Sequence, residues 1–366
     1  MKAKELIMSE GLEGVVAART VLSNVDGANG RLVIRGYSLD DLAGRTPFEG
    51  VVALLFNGFF PNLPDLVGLT ARLGQARAEA FGTADFSPDL NALTPVEGLR
   101  ALIARMPDGD DLDTALRLVA AHGVFTAAVC RMQAGEAPIA PDPALGHAAD
   151  VLRMLTGKVP TVQEAAALDT YLTTVSDHGL NASTFAARVV ASTRAGLASA
   201  ALAGISALKG PLHGGAPGPV IEMIDEIGSP DRAQAWLEGA LARGDRLMGF
   251  GHRIYKVRDP RADALKAAVR TLSNDAGRLV LAESVEAAAL AILKAKKPDR
   301  SLETNVEFYT ALLLEALGFP HEAFTCVFAM GRIAGWMAHA REQLATGRLI
   351  RPDSVYVGPP VEARAA

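Results

Sequence analysis

Residues 304–320 read TNVEFYTALLLEALGFP, and residues 321–343 read HEAFTCVFAMGRIAGWMAHAREQ. In the first stretch Val306, Tyr309, Leu313 and Leu317 recur at three- and four-residue spacing, which gathers them on one face of a helix. Thr304 can cap its start, and Gly318-Phe319-Pro320 supplies a stop signal. The second stretch predicts another long helix. Its Gly331 and Gly335 lie four apart on one face, where missing side chains let a neighbouring helix approach closely. That spacing is read as a packing device rather than a binding motif.

The same Ala- and Leu-rich texture with glycine and proline punctuation covers most of the chain. Strand signals are scarce. The exception lies near the N-terminus, where the short runs Thr20–Val25 and Arg31–Ile34 flank the turn signals Asp26-Gly27 and Asn29-Gly30 and predict a small hairpin. Regular strand–helix alternation is not evident, which disfavours a doubly wound sheet. The predicted fold class is therefore all-α with one small N-terminal β-hairpin. The proline-rich segment 136–147 (EAPIAPDPALGH) reads as an inter-helix loop more than a domain linker.

The chain has 366 residues, 49% of them hydrophobic. At roughly 150 residues per domain this predicts about two domains, and it argues against disorder. The net charge of −5 argues against a nucleic-acid or anionic-membrane partner. Two cysteines, Cys130 and Cys326, are too few for a disulfide framework and fit a reducing compartment. The longest apolar stretches, between Arg117 and Arg131 and between Arg194 and Lys209, are shorter than the ~18 residues of a spanning helix. The first residues, MKAKELIMSEGLEG, carry acids and no apolar run, so no signal peptide is expected. The expectation is a cytoplasmic protein without membrane partners.

Standard chemical motifs are mostly missing. GFGHRI at 249–254 lacks the third glycine of a dinucleotide fingerprint, and no histidine pair has metal-ligand spacing, so no metal is expected. Three histidines sit in glycine-rich, loop-like settings: His178 in DHGLNAST, His213 in LKGPLHGGAPGP and His252 in GFGHRIYKVRDPR. One such histidine alone reads as a surface loop or a satisfied core residue; three together point to a site where backbone approaches a ligand. The 252–261 loop adds Arg253, Lys256, Arg258 and Arg261. Such a cluster suits carboxylate or phosphate recognition, the alternative being a solvated basic loop. Thr304-x-x-Glu307 matches a capping box, in which the N3 carboxylate reaches back to the N-cap amide. The functional alternative makes Glu307 a general base at a helix start.

Taken together these segments resemble the citrate synthase family. The resemblance runs from GLEGVVAARTVLSNVDG through RLVIRGYSLDDLA to RPDSVYVGP. Within it LNASTFAARVVAST, LKGPLHGG, GFGHRIYKVRDPRA, NVEFY and GRIAGW occur in family order. It implies a two-domain helical fold, a large domain of 1–214 plus 319–366 and a small domain of 215–318, with the site in the cleft between them. It also implies a homodimer or an assembly of dimers, and no tightly bound cofactor. The implied reaction joins acetyl-CoA to oxaloacetate and hydrolyses citryl-CoA to citrate and CoA, as in the tricarboxylic acid cycle.

By the same resemblance Glu307 is the base, His213 the donor to the thioester oxygen, and His252 the group polarising the ketone of oxaloacetate. His178, Arg261 and Arg332 bind oxaloacetate, with Arg351 contributed by the neighbouring subunit. Arg246, Leu247, Met248, Gly249, Phe250, Gly251 and Lys256 match the segment holding the CoA adenine and phosphates. Three departures stand out. NVEFY supplies Glu307 where the family usually has aspartate, HGGAPGP carries Pro217 and Gly218 where HGGANE is common, and Asp353 replaces a usual arginine. A 2-methylcitrate synthase using propionyl-CoA and a non-catalytic CoA- or dicarboxylate-binding homologue are the alternatives. The short N-terminus implies a dimer without the extra domain of NADH-sensitive hexamers.

Overall fold

The structure, a computed structural model, describes residues 10–214, 218–252, 254–272 and 276–359. The expected domain bound at 215, together with Pro217 and Arg253, lies outside the described residues. Fifteen α-helices are present among the described residues: α1 (Leu39–Leu42), α2 (Phe48–Phe56), α3 (Leu66–Thr83), α4 (Pro95–Ala104), α5 (Leu112–Gln133), α6 (His147–Thr156), α7 (Val162–Val175), α8 (Ala182–Ser192), α9 (Leu197–Leu208), α10 (Gly218–Ile227), α11 (Ala233–Arg243), α12 (Pro260–Thr271), α13 (Ala276–Lys296), α14 (Val306–Ala316) and α15 (Phe324–Thr346). The all-α expectation holds, and the segment 136–147 joins α5 to α6 as a loop.

The N-terminal hairpin is present and belongs to a three-stranded antiparallel sheet in the order β1 (Ser23–Asp26), β2 (Arg31–Ile34), β3 (Tyr37–Ser38). Ser23 pairs with Ile34 and Asp26 with Arg31. The two-residue β3 was not expected from the sequence. Nor does β1 begin at Thr20, because residues 20–22 bond elsewhere: the Val21 amide donates to Glu342 Oε1 (2.9 Å) and the Leu22 amide to Thr20 Oγ1 (3.1 Å). The turn is tied by Asp26, which accepts the Asn29 amide (3.1 Å) and side-chain Nδ2 (2.7 Å). It lies directly against residues 254–258. Lys256 N donates to Gly27 O (2.9 Å), and a Cβ on Gly27 would fall 2.3 Å from Ile254 O. Glycine is required here by space.

α15 runs through the core, packed on α5, α7, α8 and α9. The glycine spacing has its expected effect. A Cβ on Gly331 would sit 2.4 Å from a Val175 methyl, and one on Gly335 2.2 Å from Ser176 O, so the end of α7 rests on bare α15 backbone. α10 packs on α13 and α14, α11 on α13, and α12 on both α14 and α7.

Two expectations need correction. α5, with 22 residues, is long and apolar enough to cross a bilayer by length and composition, although uninterrupted apolar runs in it are shorter. Of its apolar 18-residue window 89% is buried inside the protein, so its apolar surface covers other helices. Thr304 does not cap α14. Asn305 does, its Oδ1 accepting the Glu307 amide (2.9 Å), and the Thr304 hydroxyl donates to Glu286 Oε1 (2.7 Å). Glu286 is an acceptor hub, also taking Tyr309 OH (2.6 Å), Lys266 Nζ (2.7 Å) and Arg258 Nη1 (3.1 Å). Burial opposes its ionisation, but these donors outweigh it and hold its pKa down to about 2.

Candidate active site

A cavity of about 730 Å³ is lined by His178, His213, His252, Arg261, Glu307 and Arg332. Six of the seven residues assigned to catalysis or substrate binding, drawn from five separate stretches of chain, thus face one space. The exception is Arg351. It is exposed on the C-terminal segment, beyond Ile350, whose amide donates to Ser192 Oγ (3.1 Å).

His252 leads with its tautomer. Its Nδ1 accepts the amides of Ile254 and Tyr255, both at 3.1 Å, so in the neutral ring the proton resides on Nε2. Arg261 Nη2 lies 3.3 Å from that Nε2. Two donors that close do not bond each other; they converge on a position suited to an acceptor oxygen. Burial, followed by the charge of Arg261, pushes the His252 pKa down to about 4, which keeps the ring neutral near pH 7.

His213 shows the opposite tautomer. The Ser183 amide donates to its Nε2 at 3.3 Å, which leaves Nδ1 to carry the proton. Ser183 is itself held by Asn181 Oδ1 (2.7 Å) and Trp336 Nε1 (3.2 Å). Burial, then Arg332, lowers the His213 pKa to about 4. His178, buried against Tyr255 (Nε2 to OH 3.1 Å), is depressed well below the ordinary range by burial and by Arg261 and Arg332. All three rings are neutral hydrogen-bonding groups at physiological pH.

Glu307 occupies the first turn of α14, and burial raises its pKa above the ordinary carboxylate value, opposed by Arg246 and Arg261. A carboxyl shifted in that direction is a stronger base when ionised. Arg332 is 1% exposed, donates through Nε to Val175 O (2.5 Å) and stacks over Phe328 (4.9 Å). Burial lowers its pKa to about 10, so it remains a cation.

The segment expected to hold CoA is arranged differently. The side chains of Leu247 and Phe250 are buried, Phe250 packing on Phe308 at 5.4 Å. Arg246 and Lys256 are exposed. Gly249 (φ 83°) and Gly251 (φ 81°) adopt the left-handed conformation on either side of the Phe250–Thr304 bridge, where Gly249 O accepts the Asn305 amide (2.9 Å) and Gly251 O accepts Asn305 Nδ2 (2.8 Å). Residues 246–251 and Lys256 do not line the 730 Å³ cavity. Among the described residues no group of three or more His, Cys, Asp or Glu could hold a metal ion.

Residues not singled out by the sequence also shape the site. Tyr255, Ser183 and Asn305 orient the histidines and α14 as above. The segment of Gly11, Leu12, Glu13, Gly14, Val15 and Ala17 forms one wall of the cavity. Behind it, α15 offers His339, whose Nε2 donates to Asp177 (3.2 Å) and whose Nδ1 accepts Arg188 Nη1 (3.0 Å). The same Nη1 donates to Glu342 Oε2 (2.6 Å).

The citrate synthase C-terminal domain family matches residues 11–353. A citrate synthase of Haloferax volcanii is 37% identical, over 96% of each chain. A 2-methylcitrate synthase of Mycobacterium tuberculosis is 36% identical over 96% of this chain and 91% of its own. The citrate synthase of Thermoplasma acidophilum, solved as a ternary complex with carboxymethyl coenzyme A and oxaloacetate, superposes with a TM-score of 0.85 at 30% identity, covering 98% of both chains. Fold and matches together define a mainly helical acyltransferase. The chain belongs to the citrate synthase family.

Proposed function

We propose that the protein condenses acetyl-CoA with oxaloacetate and hydrolyses the citryl-CoA formed, giving citrate and free CoA. The observation that carries this reading is the joint placement of Glu307, His213 and His252 on one cavity, with both imidazoles neutral. The difficult step removes a proton from the methyl carbon beside the thioester carbonyl. Glu307 takes that proton while His213, through Nδ1–H, donates to the oxygen on which enolate charge develops. The nucleophilic carbon then attacks the ketone carbon of oxaloacetate; the C=O π bond breaks onto the oxygen, which is hydrogen-bonded by His252 Nε2–H and takes up a proton through that imidazole to become the hydroxyl of citryl-CoA. Water finally attacks the thioester carbonyl; the C–S bond breaks, the carboxylate of citrate forms, and the sulfur leaves with a proton as CoA.

Arg261 and Arg332 neutralise oxaloacetate carboxylates, with His178 as a further contact. A homodimer supplies Arg351 from the second subunit to the same site, and residues 246–251 with Lys256 hold the CoA adenine and phosphates. A small domain of 215–318 closes on a large domain of 1–214 plus 319–366 and excludes water during proton transfer. A cytoplasmic location, supported by two free buried cysteines, completes the proposal.

The test is thiol release from purified protein with oxaloacetate and either acetyl-CoA or propionyl-CoA. A higher specificity constant for acetyl-CoA supports the proposal. A preference for propionyl-CoA makes the protein a 2-methylcitrate synthase, the reading favoured by the Mycobacterium tuberculosis relative. Binding of both ligands without thiol release makes it a non-catalytic homologue. One methylene is worth only ~1–3 kcal/mol of discrimination, so the ratio must be measured.

A further inference from the structure

Asp259 is 1% exposed and both its oxygens are fully engaged. Oδ1 accepts the Arg261 amide (3.0 Å), capping α12, and also Arg261 Nε (3.0 Å). Oδ2 accepts Arg261 Nη2 (2.8 Å) and, from a segment 47 residues away in sequence, the Val306 amide (3.2 Å). The neighbouring Glu307 amide is held by Asn305. One buried carboxylate therefore grips the side of a guanidinium that faces the cavity and the first amide of the helix that carries Glu307.

We propose that Asp259 is a positioning residue that sets Arg261 and the first turn of α14 in register, so that the dicarboxylate clamp and the base are aligned by a single group. The role rests on the proposed function of Arg261 and Glu307. Arg261, 3% exposed, needs a counter-charge to remain buried and ionised, and Asp259 provides it while fixing the plane of the guanidinium. The bond to Val306 N is charge-assisted and lies one residue from the base. A displaced first turn moves the Glu307 carboxylate against the carbon it must reach.

The experiment compares Asp259→Asn, Arg261→Ala and the double variant. The double variant carries neither buried charge, so it remains informative where Asp259→Asn alone misfolds. Amide hydrogen exchange over residues 304–310 is read first, because it needs no turnover. Faster exchange by about tenfold or more in Asp259→Asn, repeated in the double variant relative to Arg261→Ala, supports the proposal. Unchanged exchange overturns it. In the thiol-release assay Asp259→Asn should raise KM for oxaloacetate and also lower kcat. In the Arg261→Ala background it should still lower kcat about tenfold while adding nothing to KM. The acid limb of the kcat profile should move to lower pH, since a negative neighbour of Glu307 is gone. A kcat in the double variant equal to that of Arg261→Ala overturns the link to the base. Absence of thiol release in the wild type removes the proposed function alone, and the exchange result still decides for or against the alignment.

Discussion

Replacing Gly27 with alanine tests whether the N-terminal turn holds His252 in place. The new Cβ would lie 2.3 Å from Ile254 O, 2.7 Å from Ile254 C and 2.8 Å from a methyl of that side chain, where ordinary contact begins at 3.4 Å. Turn or loop must therefore retreat by about 1 Å. The turn is cross-tied by Asp26 to Asn29 and paired into β2, so the loop is the part expected to yield. His252 Nδ1 takes the amides of Ile254 and Tyr255, and its ring follows them. Misplacement of about 1 Å in a group that acts on the transition state costs ~100-fold. Overpacking of this kind costs ~1–3 kcal/mol of stability, which a domain of this size survives. The assay is kcat for thiol release at saturating substrates, with thermal unfolding recorded alongside. Gly82→Ala is the control, because nothing lies within 4 Å of its Cβ. A Gly27→Ala kcat within about threefold of wild type, with the fold intact, would refute the argument that this turn positions the imidazole.

Glu307→Gln should leave oxaloacetate affinity, measured calorimetrically, nearly unchanged while abolishing turnover; near-wild-type activity would remove Glu307 as the base. The same variant carries a pH signature. The folded Glu307 carboxyl binds its proton more tightly than the unfolded one, so its favourable contribution is present at low pH and is lost as pH rises through the raised pKa. The Gln variant should therefore gain in melting temperature relative to wild type between pH 4 and pH 8, and wild-type kcat should fall on its acid side at a pH above the ordinary glutamate value of 4.5. Arg261→Ala should raise KM for oxaloacetate by about 10- to 100-fold, the worth of a charged hydrogen bond, and an unchanged KM would exclude it from the clamp. Gly331→Ala, which drives a Cβ to 2.4 Å from Val175 and 3.0 Å from Leu172 O, should cost ~1–3 kcal/mol in denaturant unfolding; no shift in midpoint would mean that α7 and α15 can part freely.

Much of this arrangement was legible because it is local. The apolar stripe of α14, the glycine pair of α15 and the turn residues between β1 and β2 each state their structure within a few positions. The histidines were recognisable by their glycine-rich settings, and the ordered motifs supplied the roles proposed for them. What stayed hidden depends on partners distant in sequence. Thr304 and Asn305 are both competent caps; Glu286, eighteen residues upstream, decides between them by taking the threonine hydroxyl. The bond from Asp259 to the Val306 amide, 47 residues away, leaves no local signal at either end. The span of α5 escaped because Arg117 and Arg131 bound the uninterrupted run, while apolarity averaged over a longer window still qualifies.

α15 presents Arg332 to the cavity, Gly335 to the end of α7, Trp336 to Ser183, His339 to Asp177 and Glu342 to Arg188. Apart from the adjacent Gly335 and Trp336, these contacts recur at three-residue steps along one helical screw. Inserting or deleting a single residue upstream of Arg332 would rotate the whole series by about 100° and slide it by about 1.5 Å, breaking every engagement at once. Gene-length variation among descendants of this chain should therefore gather in the 136–147 connection and leave the span from Phe324 to Glu342 uninterrupted, whatever substitutions its individual positions accept.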